Sequence, residues 1–387
     1  MKLSEDSKIY VAGHRGLVGS AIMANLRERG FRNVIGRTHA ELDLLDSAAG
    51  ERFFDEEKPD AVVLAAAHVG GIMANSIYRA DFILQNLGIQ QNVIGSALRH
   101  GVKRLLFLGS TCIYPREAPQ PITEDALLTS PLEYTNEPYA IAKIAGMKMC
   151  EAINLQHGTD YVAVMPTNLY GPNDNFHLDN SHVLPAMIRK MHLARLLREG
   201  REDDLRADLR KRPVDGIDAD ASTMGEIRAA LASRGITGEA LRLWGSGKPL
   251  REFLWSEDMA DASVHVLLNV SFTDLAEECR RRGEPVRNCH INVGTGLETT
   301  IAELAESIRQ TVGFGGPVEW DASKPDGTMR KLCDVSRLHS LGWRHKVELP
   351  EGIRRLYDWY LGHCASGLCS RCHPSASLLG FSYIKKK

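Results

Sequence analysis

Apolar positions along the chain alternate between two patterns, compact runs and helical repeats. Residues 8–12 form a short apolar run, a glycine-rich turn follows, and residues 20–29 repeat apolar positions at helical spacing before Gly30 ends them. A second short strand is predicted over 33–36. Residues 61–66 (Ala-Val-Val-Leu-Ala-Ala) are continuously apolar, as expected of a parallel strand covered on both faces. A long helical pattern over 80–100 again stops at a glycine, Gly101, and further strands are predicted over 104–108 and 161–165. Strands alternating with helices of this length predict an α/β fold with a doubly wound parallel sheet, whose ligand sits at the carboxyl ends of the strands.

Beyond about residue 170 the pattern loosens. Residues 171–175 (Gly-Pro-Asn-Asp-Asn) read as a loop. Residues 194–240 are densely charged, with Pro213 and Gly216 in the middle and a helical repeat over 224–233 that stops at Gly235. This stretch is expected to be a solvated surface insertion of two short helices. A strand and turn are predicted over 291–296, and helices over 300–312 and 351–361. The organisation expected is a nucleotide-binding domain over 1–175, to which part of the later chain returns. A smaller C-terminal substrate-binding lobe follows over 176–361, and a disordered tail over 362–387.

Composition narrows the function classes. Apolar residues are 43% of the 387, enough for a sizeable core, and the net charge of −2 lacks the basic excess of a nucleic-acid binder. The longest apolar run, residues 61–67, is too short to cross a bilayer, and no apolar leader opens the chain, so a cytoplasmic protein without a membrane partner is expected. Eight cysteines without framework spacing fit reduced thiols. Cys364, Cys369, Cys372 and His373 in the tail look like metal ligands, but one short cluster is thin support and no metal is expected.

Four motifs carry chemistry. The first is Gly13-His14-Arg15-Gly16-Leu17-Val18-Gly19, between the first strand and the first helix. Glycines there let the backbone turn tightly against a pyrophosphate, and the helix N-terminus offers free N–H groups. The second predicted strand ends in Gly36-Arg37-Thr38-His39, without the carboxylate that would take an NAD ribose. Arg15 and Arg37 are placed for a 2′-phosphate, which predicts NADP. Asp43 and Asp46 follow where a carboxylate meets adenine or a backbone amide.

The second motif is Tyr139-Ala140-Ile141-Ala142-Lys143, whose spacing puts Tyr139 and Lys143 a turn apart on one helix face. Tyr139 can protonate an alkoxide as hydride arrives, with Lys143 and a bound pyridinium expected to lower its pKa. Lys143 can also hold the nicotinamide ribose. In the third, the strand ending Leu108-Gly109 delivers Ser110 to the cofactor edge, where it can donate to an oxyanion; Thr111 competes for that role. Cys112 reads either as a small buried hydrophobe or as an acid–base group beside a lysine. In the fourth, Pro166-Thr167-Asn168-Leu169 follows a strand and can line the nicotinamide, and His182 titrates near neutrality.

Together these motifs resemble the extended short-chain dehydrogenase/reductase superfamily of Rossmann enzymes. Longer strings resemble its GDP-L-fucose synthase family: Ala12-Gly13-His14-Arg15-Gly16, Cys112-Ile113-Tyr114-Pro115, Thr135 to Lys143, Trp244-Gly245-Ser246-Gly247, Arg251-Glu252-Phe253-Leu254 and Lys324-Pro325-Asp326-Gly327. The resemblance covers residues 8–193 and 241–361. It implies an NADPH-dependent enzyme that epimerises C3 and C5 of GDP-4-keto-6-deoxy-D-mannose and reduces C4 to give GDP-L-fucose. It also implies a homodimer. By resemblance Cys112 is the base and His182 the acid of proton transfer, with His182 also touching cofactor. Ser110, Tyr139 and Lys143 are the reductase triad, and Lys190, Trp244, Arg251 and Asp326 bind the nucleotide sugar.

There are departures. His39 stands where an arginine near the 2′-phosphate is expected, and Lys190 replaces an arginine, keeping the charge and losing the fork. The 194–240 insertion comes close to the sugar-nucleotide lobe, and the tail has no counterpart. A sugar 4,6-dehydratase would carry an Asp-Glu pair where Cys112-Ile113 stands. A UDP-hexose 4-epimerase, or a non-catalytic NADP-sensing regulator, are the competing readings.

Overall fold

The computed structural model describes residues 2–324 and 326–362, so the tail with its cysteine cluster lies outside the described residues. The first half alternates strands and helices: β1 (Ile9–Ala12), α1 (Leu17–Glu28), β2 (Val34–Ile35), α2 (Ser47–Glu57), β3 (Ala61–Leu64), α3 (Ile72–Ile77), α4 (Arg79–Arg99) and β4 (Arg104–Leu108). Then come α5 (Glu137–His157), β5 (Asp160–Pro166), β6 (Asn168–Tyr170), α6 (Val183–Arg198), α7 (Glu202–Lys211) and α8 (Met224–Ala232). The second half continues with β7 (Leu241–Trp244), β8 (Leu250–Arg251), β9 (Phe253–Trp255), α9 (Ser256–Asn269), α10 (Phe272–Arg281) and β10 (His290–Val293). It ends with β11 (Thr299–Thr300), α11 (Ile301–Val312), β12 (Val318–Asp321), β13 (Arg330–Lys331), α12 (Ser336–Ser340) and α13 (Leu349–Leu361).

The main sheet is parallel, in the order β10-β5-β4-β3-β1-β2. The chain leaves β1 toward one edge and resumes at β3 on the other side, so the switch point lies between β1 and β3. Ile9, Val11, Val63 and Leu106 point to one face of the sheet, while Tyr10, Val62, Leu64 and Phe107 point to the other. Each face has its own core, which is why these strands read as unbroken apolar runs. β10 and α9 come from the second half and complete this unit; Asp261 of α9 pairs with Arg29 at 2.6 Å.

A separate core gathers α6, α7, α8, α11 and α13 around β7 and β12. Here the structure corrects the expected solvated insertion. Leu205 and Leu209 on α7, and Ile227 and Leu231 on α8, each four apart, are buried in this core. Arg189 of α6 is buried completely and its Nε donates to Asp208 of α7 at 3.1 Å. Asp208 also accepts from Arg212 at 2.9 Å and from the Tyr360 hydroxyl of α13. Apart from the buried Asp208, the charges of α7 and α8 lie away from their apolar inner faces.

Candidate active site

The turn after β1 is shaped to receive a phosphate group. Gly13 has φ +83°, and a Cβ on it would lie 2.7 Å from the Ala66 amide nitrogen just beyond β3. A Cβ on Gly19 would collide with the Gly13 carbonyl oxygen. Gly16 heads α1 with no side-chain cap, so the first amides of the helix, from Leu17, Val18 and Gly19, face the crevice at the switch point. The His14 ring occupies the space where a Cβ of Gly36 would be, and burial lowers its pKa. These features fit a dinucleotide.

The two arginines at the crevice differ. Arg15 is exposed, and no ion pair engages it among the described residues. Arg37 is turned to Glu57 in a short ion pair, donates to the Gly36 carbonyl at 3.0 Å, and lies over the Phe53 ring. It therefore does not stand free as the sequence suggested; a carboxylate from α2, a helix the apolar pattern did not reveal, competes for it. His39 is exposed. Asp43 accepts from the Leu45 amide at 2.9 Å, and Asp46 caps α2 through the Ala49 amide at 3.0 Å.

The hydroxyl and thiol groups converge at the carboxyl end of β4. Ser110 accepts from the Cys112 amide at 3.2 Å and is hydrogen bonded to Tyr139. Thr111, the competing hydroxyl, is buried. Lys143 projects inward from α5, donates to the Leu108 carbonyl at 2.8 Å, and lies over the Phe107 and Tyr139 rings at 4.9 and 5.8 Å. Burial pulls its pKa down to about 7. Burial also pushes Tyr139 well above the ordinary phenol value, with the nearby Cys112 adding to the rise and the bond to Ser110 opposing it. From the protein's own groups, then, desolvation outweighs the lowering expected from Lys143, and Tyr139 keeps its proton at neutral pH.

Cys112 is half-buried, and Lys331 of β13 donates to its sulfur at 3.6 Å. Arg251 of β8 also lies within electrostatic reach of Cys112, and β8 and β13 pair so that Arg251 and Lys331 stand side by side. Sequence reasoning missed Lys331, since only this pairing brings it to Cys112. It also left Glu252 without a role. Glu252 is completely buried and accepts from the amides of Thr295, Gly296 and Cys333 at 2.6, 2.7 and 3.3 Å. Its carbonyl receives Asn168 at 2.8 Å and Thr167 at 3.3 Å. The side chains of Thr167 and Asn168 are thus engaged in joining the two halves, while Pro166 is buried and Leu169 packs against the core of the main sheet.

His182 stands at the N-cap position of α6 without a side-chain cap bond, in a loop that faces Gly70–Gly71; a Cβ on Gly71 would lie 3.3 Å from the Ser181 carbonyl. Gly70 abuts Phe82, whose ring stands edge-on to Tyr139 at 6.3 Å. Burial lowers the His182 pKa, and no bond joins His182 to Cys112 among the described residues. About two turns along α6, Lys190 is also lowered by burial, with Asp179 opposing and Arg234 assisting. Arg251 donates to the Leu250 carbonyl at 2.8 Å and faces Asp326, which in turn accepts from Ser246 N–H at 2.8 Å and its hydroxyl at 2.6 Å. Trp244 is 61% exposed, with the Lys324 ammonium over its ring at 5.6 Å.

The NAD dependent epimerase/dehydratase family model matches residues 9–207 and 218–278. The chain is 51% identical over 367 residues to GDP-L-fucose synthase 1 of Arabidopsis thaliana, spanning 95% of this chain and 96% of that protein. It is 48% identical over 354 residues to the GDP-L-fucose synthase of Escherichia coli strain K12, spanning 92% and 96%. The solved GDP-D-glycero-L-gluco-heptose synthase of Campylobacter jejuni, in the presence of NADPH, matches with a TM-score of 0.85 at 41% identity, spanning 93% and 99%.

Proposed function

Because the chain belongs to the NAD dependent epimerase/dehydratase family and stands among its GDP-L-fucose synthases, we propose that it converts GDP-4-keto-6-deoxy-D-mannose to GDP-L-fucose by 3,5-epimerisation and NADPH-dependent 4-reduction. The observation that carries this reading is the placement of the Cys112 thiol next to the Ser110–Tyr139 pair, which puts a proton-transfer group beside a carbonyl-reducing one. One ketone at C4 acidifies the hydrogens on both C3 and C5, so a single binding mode serves all three steps.

The turn of residues 13–19, with Lys143 and the 166–169 wall, would hold NADP(H), and Arg15 is the cation best placed for the 2′-phosphate. When bound, NADPH supplies the hydride that reduces C4. Cys112 takes the C3 or C5 proton and His182 returns one from the opposite face. Ser110 and Tyr139 donate to the C4 oxygen, which carries negative charge while either neighbour is deprotonated. During reduction Tyr139 gives its proton to that oxygen, a role suited to a phenol that is protonated at neutral pH. Lys190 and Arg251 meet the diphosphate, Trp244 stacks on the base, and Asp326 accepts from the sugar or base.

We further read the protein as a cytoplasmic homodimer. The thiols of Cys150, Cys279, Cys289 and Cys333 are free and buried, which suits a reducing compartment, and no described helix is long and apolar enough to cross a membrane. Large apolar side chains stand exposed on α4 and α5 at Leu84 and Ile141.

The decisive assay follows NADPH oxidation with GDP-4-keto-6-deoxy-D-mannose in D2O, with mass analysis of the product. Oxidation with deuterium at both C3 and C5 is expected. Oxidation without ring deuterium would make the protein a simple C4 reductase. Turnover confined to a GDP-linked heptose would move the substrate assignment toward the Campylobacter relative.

A further inference from the structure

We infer that Lys331 is the counter-cation that stabilises the Cys112 thiolate when that sulfur abstracts a proton, a role that rests on the epimerase reading above. Its Nζ donates to the Cys112 sulfur at 3.6 Å. The adjacent cation, Arg330, is neutralised by Glu298 at 2.7 Å, whereas no carboxylate pairs with Lys331 among the described residues. The charged and titratable groups found facing Cys112 are Lys331, Arg251 and Tyr139. Arg251 shares its charge with Asp326, and Tyr139 is a neutral phenol, which leaves Lys331 as the uncommitted positive charge in contact with the sulfur.

Lys331 is also held in place. It pairs with β8 opposite Arg251. Immediately after it, the Leu332 amide donates to Gln120 at 2.8 Å, the Leu332 carbonyl accepts from Ile122 at 2.7 Å, and the Cys333 amide donates to buried Glu252. A free thiol is largely protonated at neutral pH, and the thiolate is the competent base. An ammonium in hydrogen-bond contact favours the anion. When the thiolate acts, an S–H bond forms, the C–H bond at C3 or C5 breaks, and its electron pair moves into the enolate ending on the C4 oxygen; Lys331 keeps its own proton. The two lysines of the site thus divide the work. Lys143 serves the reductase side through the Leu108 carbonyl, and Lys331 serves the thiol.

The test uses the full chain with Lys331→Met, which keeps the apolar stem, and Lys331→Arg, which keeps the charge. Iodoacetamide labelling of the Cys112 peptide, followed by mass spectrometry across pH, reads thiolate directly. In Lys331→Met, labelling at pH 7 is expected to slow by on the order of tenfold or more, with its pH profile moved to the alkaline side. Deuterium exchange at C3 and C5 should fall in parallel, while NADPH oxidation with the already epimerised 4-ketone stays within about twofold of the parent. Lys331→Arg should restore both labelling and exchange. Unchanged labelling in Lys331→Met would overturn the assignment, and so would an equal loss of exchange and reduction with normal labelling, which would mark Lys331 as a substrate-phosphate ligand. If the parent protein exchanges no ring deuterium, the epimerase reading fails, and the labelling comparison still decides whether Lys331 sustains the thiolate.

Discussion

Burial governs the titration of Tyr139, Lys143 and His182. Tyr139 is pushed upward and Lys143 down to about 7 by the same desolvation, so both favour their neutral forms more than free side chains do. A protonated phenol is a donor, and Tyr139→Phe is expected to abolish NADPH oxidation, a loss of at least about 100-fold. C3/C5 deuterium exchange should slow but stay measurable, because Cys112 and His182 are untouched and Ser110 still donates to the C4 oxygen. Retained reduction in that variant would remove Tyr139 from the acid role. Lys143 has a consequence for stability. Its folded pKa of about 7 lies below the ordinary lysine value of 10.5, so between these two pH values the unfolded chain binds the extra proton. Stability contributed by this position therefore rises with pH from about 7 toward 10.5 and is flat below. Lys143→Met should flatten that slope and, near neutrality, stabilise the fold by on the order of a few kcal/mol while impairing turnover. Urea melts at several pH values between 6 and 10 would show it, and an unchanged slope would mean that the buried ammonium is tolerated at no cost.

Among the elements, α7 and α8 show what charge density hides. The repeats Leu205–Leu209 and Ile227–Leu231 carried the correct signal for docked helices, but the surrounding acids and bases dominated the reading of residues 194–240. The anchor is a charge cluster, Arg189 with Asp208, joined by Arg212 and Tyr360. Removing one partner leaves the other buried and unpaired, so Asp208→Ala is expected to cost about 3–5 kcal/mol in chemical unfolding. A loss under about 1 kcal/mol would mean that the insertion folds independently of α6 and α13. The insertion also reaches the site, because Arg234 just beyond α8 pairs at 3.0 Å with Asp179 in the loop that leads to His182. The main strands, the phosphate turn and the Tyr139–Lys143 helix were legible because each is local, a continuous apolar run or a fixed spacing. The α2 helix was not, since Phe53 and Phe54 are the only large apolar residues it buries and Asp46 caps it without a following acid to mark the start. Lys331 and Glu252 were illegible for another reason. Their roles arise from pairings across the chain, β13 with β8 and Glu252 with the 294–296 turn, and no local spacing encodes those.

At the scale of the whole molecule, the two halves are joined at Glu252 and by the return of β10 into the main sheet, so the site is walled by both. Several large apolar side chains stand exposed, and the Tyr134 ring is covered by Arg79 at 4.4 Å. Val69, Ile77 and Leu84 are more than half exposed, and Tyr134 is 71% exposed. Arg79 at the start of α4 donates to the Tyr134 carbonyl at 2.8 Å and pairs with Glu137 at 3.8 Å, which sets the beginnings of α4 and α5 next to each other. Leu84 on α4 and exposed Ile141 on α5 therefore belong to one helix pair, and α5 is the helix that turns Tyr139 and Lys143 inward. Covering this face with a second copy would bury the apolar side chains and brace the catalytic helix from behind. Each large apolar side chain so buried contributes about 1.5–3 kcal/mol, and a carboxylate there would face a desolvation penalty as well. Leu84→Glu is accordingly expected to weaken self-association by at least about tenfold, converting a dimer to monomer in sedimentation equilibrium at micromolar protein. A parallel fall in thermal stability should follow, because the braced helix loses its support. If Leu84→Glu sediments as the parent does, the second copy sits elsewhere, and the apolar stretch on α4 and α5 must be explained without self-association.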